Sequence, residues 1–241
     1  MTSEITQTIL SKIVAALSSD EAANIFSTNL FRADMKLINL SGTDMNRADL
    51  RGSCLAGANL IGTDMHHADL RGADLTGANL RSAYMYFADL SGAGLRGADT
   101  TNANLVYADL SGTDMRAADM RAADLRDADL HGARLAAANL RAADMQRANL
   151  RGADTTGADM RGVNLRSSIL RGAILRGANL TGADLSGADL SDADLFDAYL
   201  TDACLRGACL RRADMRRADM TGADLTGADT TDADMTDVRT E

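Results

Sequence analysis

From Thr28 to Asp237 the chain repeats every five residues through forty-two units, without one insertion or deletion. A typical unit is Ala73-Asp74-Leu75-Thr76-Gly77. Its third residue, here called the centre, falls on a multiple of five throughout: twenty-eight centres are Leu, eleven are Met and three are Thr (Thr100, Thr155, Thr230). The first position is Ala in thirty-four units, the second is Asp or Asn in thirty-three, and twenty of the twenty-one glycines take the fifth. With so short and fixed a period, each unit buries its apolar face only against its neighbours, which makes the chain a solenoid.

A period of five fits neither a 3.6-residue helix nor a free-running strand. It fits a short extended piece and a turn, repeated around an axis. The small first residue and the centre lie two apart, so they share one face of an extended segment and point inward together. Leu stacked on Leu, with Ala filling the corners, makes a thin dry core. Asp and Asn bond readily to amides two residues on, and Gly relaxes the backbone at the bend. The absence of Pro fits as well, because in-register coils need their backbone donors.

Units such as Ala68-Asp69-Leu70-Arg71-Gly72 and Ala178-Asn179-Leu180-Thr181-Gly182 resemble the A(D/N)LxX unit of the pentapeptide repeat proteins. The resemblance spans residues 28–237. It implies an all-β solenoid, a right-handed quadrilateral β-helix of about ten coils with four repeats per coil. At ~4.8 Å between coils the rod is expected to be roughly 50 Å long. Every centre from Leu30 to Met235 should then be buried.

Residues 1–27 precede the repeats. Ile5, Ile9, Leu10, Ile13, Val14 and Leu17 recur at helical spacing, which predicts an amphipathic helix from about Ser3 to Leu17. Ser18 and Glu21 form a capping-box pattern. Glu4 in place of a basic start, and an apolar run broken by Lys12, argue against a signal peptide. A helical cap over the first coil is the expected role, because solenoid ends expose core and an unpaired edge. Residues 238–241 form a short tail.

Aromatics are only 3% of the chain, fewer than a globular core of this size carries. Three cysteines make no disulfide framework and suit a reducing compartment, so a cytoplasmic location is expected, without membrane insertion. Cys204 and Cys209 both stand at second positions with no His close by, and read as variation of the repeat, not as metal ligands.

Catalysis finds little support. Gly92-x-Gly94-x-x-Gly97 matches a dinucleotide fingerprint in letters, but it is the repeat itself with one Asp replaced, and no crossover helix follows. The aspartates are turn formers set by the repeat, not a paired acid and base in a cleft. No cofactor is implied.

Charge is uneven. Residues 31–180 carry seventeen acidic and eighteen basic side chains, whereas residues 181–241 carry fourteen acidic and six basic. The acidic third would attract a basic partner. It is equally the stretch where the Asp required by the repeat goes unbalanced by Arg. Arginines follow the centre on every face (Arg71, Arg116, Arg121, Arg151, Arg161, Arg171), so no one-sided basic stripe for direct nucleic-acid binding arises.

Projected onto four faces, centres 45, 65, 85, 105 and 125 share one face. Around them His66, His67, Tyr84, Tyr86, Phe87, Val106 and Tyr107 take outward positions, with His67, Phe87 and Tyr107 one above another. Such columns stabilise a ladder by themselves. Exposed aromatics clustered among polar neighbours are also what protein interfaces favour.

Two functions are compatible with these features. The first is a non-catalytic interaction module or structural rod for a protein partner that the sequence does not identify. The second follows from resemblance to the quinolone-resistance branch of the family, whose acidic rods are thought to mimic duplex DNA and bind DNA gyrase or another type II topoisomerase. Those relatives tend to carry Phe at centres, and this chain has none there. The last coil, around Leu225, Thr230 and Met235, is expected to expose a small apolar end. The resemblance implies a homodimer joined there, with Asp224, Asp229, Asp232, Asp234 and Asp237 opposing the contact.

Overall fold

The structure is a computed structural model that describes residues 28–241. The helical cap predicted within residues 1–27 lies outside these. Every β-bridge joins residue i to residue i+20 in parallel, from Asn29 with Asp49 to Asp219 with Arg239. One coil is therefore twenty residues, or four repeats, and each repeat stacks on the repeat one coil away.

The repeat follows from what its amides need. In Ala73–Gly77, the Ala73 N–H donates to the preceding centre, Leu70, at 2.9 Å and closes a turn. The Asp74 N–H donates to the previous coil (Ser53 O, 2.9 Å), while Leu75 and Gly77 donate to the next (Gly94 O, 2.7 Å; Arg96 O, 3.0 Å). Only the fourth amide has no backbone acceptor. The Asp74 carboxylate takes it, at 3.0 Å from the Thr76 nitrogen. This side-chain bond recurs in unit after unit, from Asn29 accepting Phe31 N–H to Asp234 accepting Thr236 N–H. The second position is thus Asp or Asn because buried or half-buried donors must be paired, and here the pairing falls to a side chain.

The fifth residue adopts positive φ in every unit, between 52° and 73°. Within a turn closed by the next amide, positive φ at the third turn residue is the mark of type II geometry, in which Gly is unstrained. Twenty-two units nevertheless place a side chain there. Left-handed backbone costs a residue with a Cβ about 1–2 kcal/mol.

Centres from Leu30 to Met220 are 0–2% exposed and form one continuous core with the first-position alanines. Threonines enter this core with their hydroxyls bonded to backbone carbonyls: Thr63 to Leu60 O at 2.8 Å, Thr113 to Leu110 O at 2.6 Å, and Thr155 to Ile174 O at 3.1 Å. The expectation that every centre is buried fails at the last coil. Leu225 is only partly buried, and Thr230 and Met235 are exposed, because within the described residues no further coil lies over them.

Candidate interaction surface

On the face carrying centres 45 to 125, the fifth-position column reads Arg47, His67, Phe87, Tyr107, Asp127, Arg147. In the same coils the fifth positions of the other faces hold mostly Gly, Ala, Ser and Asn. The bulky column stands in the left-handed region, with φ of 54° at His67, 58° at Phe87 and 57° at Tyr107. Positive φ directs these side chains outward at the corner of the rod, and the twenty-residue register sets one over the next.

The rings stack along the rod. His67 and Phe87 have centroids 5.2 Å apart with planes 10° from parallel; Phe87 and Tyr107 are 5.0 Å apart at 13°. Tyr86 fills the neighbouring column and meets Phe87 edge-on at 4.3 Å and Tyr107 at 5.7 Å. His66 stacks on Tyr84 at 6.2 Å, and its Nδ1 is hydrogen-bonded to Asp64. The patch stays open to solvent: Tyr84, Phe87 and Tyr107 are 50%, 44% and 46% exposed. Val106 differs from its outward assignment. At 8% exposed it belongs to the packed base of the patch, between the Tyr86 and Arg126 side chains of its own column.

Arg47 and Asp127 flank the three rings in the column, and the sequence reading missed both. The signal was there, since each lies a multiple of twenty residues from Phe87. Asp127 receives a two-pronged contact from Arg147, with Nε to Oδ1 at 2.7 Å and Nη2 to Oδ2 at 2.6 Å. That guanidinium, with smaller help from Arg126 and the Tyr107 hydroxyl, holds the Asp127 carboxyl below its ordinary range.

Elsewhere many of the surface charges are paired. Arginine at the fourth position folds back on the aspartate of its own unit, as Arg71 does on Asp69 (2.5 Å) and Arg121 on Asp119 (2.7 Å). In the acidic third, Asp192 is held by Arg212 at 2.7 Å and Arg171 at 3.4 Å, and Asp214 by Arg216 at 2.6 Å. Phe196 sits among the guanidinium groups of Arg176, Arg216 and Arg217 at 5.2–5.8 Å. Tyr199, Arg217, Asp219 and Arg239 line a shallow groove of about 440 Å³ beside the last coil. No cluster with the donors to hold a metal ion occurs among the described residues, and none of their helices is long and apolar enough to cross a membrane.

The coil register and the five-residue unit agree with a family model described as pentapeptide repeats (8 copies), matched in overlapping stretches from 23–62 to 198–237. The chain belongs to the pentapeptide repeat family. Its solenoid is accordingly the right-handed β-helix of that family. Among solved structures it is similar to HetL, a pentapeptide repeat protein involved in heterocyst differentiation regulation in the cyanobacterium Nostoc sp. strain PCC 7120. The identity is 33% over 93% of this chain and 94% of HetL, with a TM-score of 0.49. Rfr23 from the cyanobacterium Cyanothece 51142 is 34% identical over 41% of this chain and 64% of its own, with a TM-score of 0.35. QnrB1, a plasmid-mediated fluoroquinolone resistance protein, is 18% identical over 87% of this chain and 92% of its own, with a TM-score of 0.45. Among curated proteins none matches.

Proposed function

We propose that this pentapeptide-repeat protein is a non-catalytic interaction rod, and that its contact surface is the ring column of His67, Phe87 and Tyr107 with His66, Tyr84 and Tyr86 beside it. The observation that carries this reading is where the rings stand. Three consecutive coils place large side chains at positive-φ corners, where glycine is free of strain and occupies twenty of the forty-two positions. At about 1–2 kcal/mol each, that backbone cost roughly cancels the 0.5–1.5 kcal/mol a stacked aromatic pair returns. Stability alone gives little reason for the column. Half-exposed aromatics above a buried Val106 supply rigid apolar area at low entropic cost, which is what the centres of protein interfaces use.

A photo-crosslinking residue at position 107 tests this in cells that express the protein. Specific adducts from position 107, absent from the same probe at position 137 on another face, are expected. Equal and indiscriminate labelling at both positions would remove the interface.

A further inference from the structure

The ring column also carries information about its occupant. From Arg47 to Asp127 it reads Arg47, His67, Phe87, Tyr107, Asp127, with a cation two coils before Phe87 and an anion two coils after it; Arg147 follows. A sequence of this form complements its own reverse. We infer that the face docks on the same face of a second copy, the two rods antiparallel about a two-fold axis at the level of Phe87; this rests on the interaction-surface reading above.

A two-fold axis lying in the contact plane and perpendicular to the rods sets each column against itself in reverse order. Phe87 then meets Phe87 of the second copy, His67 meets Tyr107, and Arg47 meets Asp127, the last two contacts occurring twice. Moving the axis half a coil toward Tyr107 would oppose Arg47 to Arg147, two like charges. Moving it half a coil the other way would set Arg47 against Tyr107 and lose the pairing of Arg47 with Asp127. Charge therefore selects the Phe87 register.

In the neighbouring column Tyr86 faces Tyr86, His66 faces Val106 and Asn46 faces Arg126, with no like charges opposed. In the second-position column Tyr84 faces Tyr84 and Asp64 faces Asn104. The one like pair is Asp44 with Asp124, and Asp124 is already held by Arg126 at 2.6 Å. Nor does Arg147 prevent Asp127 from accepting a second guanidinium. Within this chain Asp69 takes both Arg71 at 2.5 Å and Arg51 at 3.5 Å, and Asp192 takes both Arg212 and Arg171.

Five coils at ~4.8 Å give a footprint about 20 Å tall, below the size of a standard interface, so the complex should be a weak one that forms at tens to hundreds of micromolar. The test is a charge exchange in the full chain, followed by sedimentation over roughly that range. Arg47→Asp and Asp127→Arg each oppose like charges in a pair of identical copies. Mixed in equal amounts, they restore both ion pairs at once. Both residue types already occupy fifth positions (Arg147 and Arg212; Asp192 and Asp197), so the coil accepts them, and a thermal melt of each variant is the check that it folds. Phe87→Gly gives a second arm that removes the central ring and relaxes the corner.

The wild-type protein should gain mass with concentration. Each charge variant and Phe87→Gly should stay at monomer mass, and the equimolar mixture should associate as the wild type does. A wild type that stays monomeric throughout, or a mixture no heavier than its components, overturns self-docking. So does association that survives in every variant, as assembly through the last coil at Leu225, Thr230 and Met235 would. A foreign adduct from position 107 would leave the interaction-surface reading standing after any of these failures.

Discussion

Leu125→Asp set against Arg126→Asp measures how sharply this rod divides inside from outside between adjacent residues. Leu125 is fully buried between Leu105 and Met145, one coil to either side, and its amide is tied to Asp144 O at 2.7 Å. The ladder on both sides prevents the site from collapsing around a smaller side chain. Losing the Leu side chain costs about 2–5 kcal/mol. A carboxyl in that position stays neutral at pH 7 only if its pKa rises by some 3 units, which adds about 4 kcal/mol. The total, roughly 6–9 kcal/mol, rivals the whole stability of an ordinary domain. Because each coil contacts only its neighbours, the variant should melt in two stages or at least ~15 °C lower. Arg126→Asp loses exposed contacts to Asp124 (2.8 and 2.6 Å) and Asp144 (3.8 Å) and should cost about 1 kcal/mol. Acidification supplies a second signature. A carboxyl whose folded pKa lies above its unfolded value destabilises increasingly as pH climbs from near 4, so Leu125→Asp should regain stability at pH 4.5. Circular dichroism melts at pH 7 and 4.5 decide the matter. Equal melting temperatures for the two variants at pH 7 would show that the assignment of faces is wrong.

Three further outcomes follow from the same geometry. The wild type should respond to acid in the opposite sense: hydrogen bonds from Arg116 and Thr226 hold Asp114 and Asp224 at a pKa of about 2, against an ordinary 3.8, and Arg51, Arg71 and Arg121 lower Asp49, Asp69 and Asp119. Depressed folded values stabilise above the unfolded pKa and lose that contribution as pH falls, so the melting temperature should hold from pH 7 to 5 and drop between about 4 and 2. Ala122→Gly, at a corner with φ of 52°, should raise stability by about 0.5–1 kcal/mol in urea titration, and a loss of that size would contradict the strain ascribed to these corners. In a gyrase supercoiling assay the protein should neither inhibit nor protect, because the coils of residues 31–180 balance seventeen acidic against eighteen basic side chains; either effect would favour the DNA-mimic alternative.

Much of the rod was legible in the chain because one period fixed everything that depends on the neighbouring residue. Leu75 had to point inward with Ala73, and Gly77 had to turn. Asp74 was readable as a turn former, but its particular task, pairing the one amide the ladder leaves over, needed the hydrogen bonds themselves. The aromatic face was visible once residues were counted in twenties. Its limits were not: Val106 looked like a surface residue and proved to be buried, since burial depends on which side chains lean across from neighbouring coils. Arg47 and Asp127 carry no aromatic signal, and only their spacing of forty residues from Phe87 ties them to the column.

The sequence by itself determined the period, the inward and outward alternation and the identity of the turn residues, all consequences of spacing along five residues. What only the tertiary structure decided lies twenty residues apart. Parallel pairing of each unit with the next coil makes His67, Phe87 and Tyr107 one column, sets Arg147 on Asp127, and leaves Thr230 and Met235 exposed at the last coil. A local repeat states what each coil is; contact between coils states what the surface offers, because charge and ring stacking act through space and not along the chain.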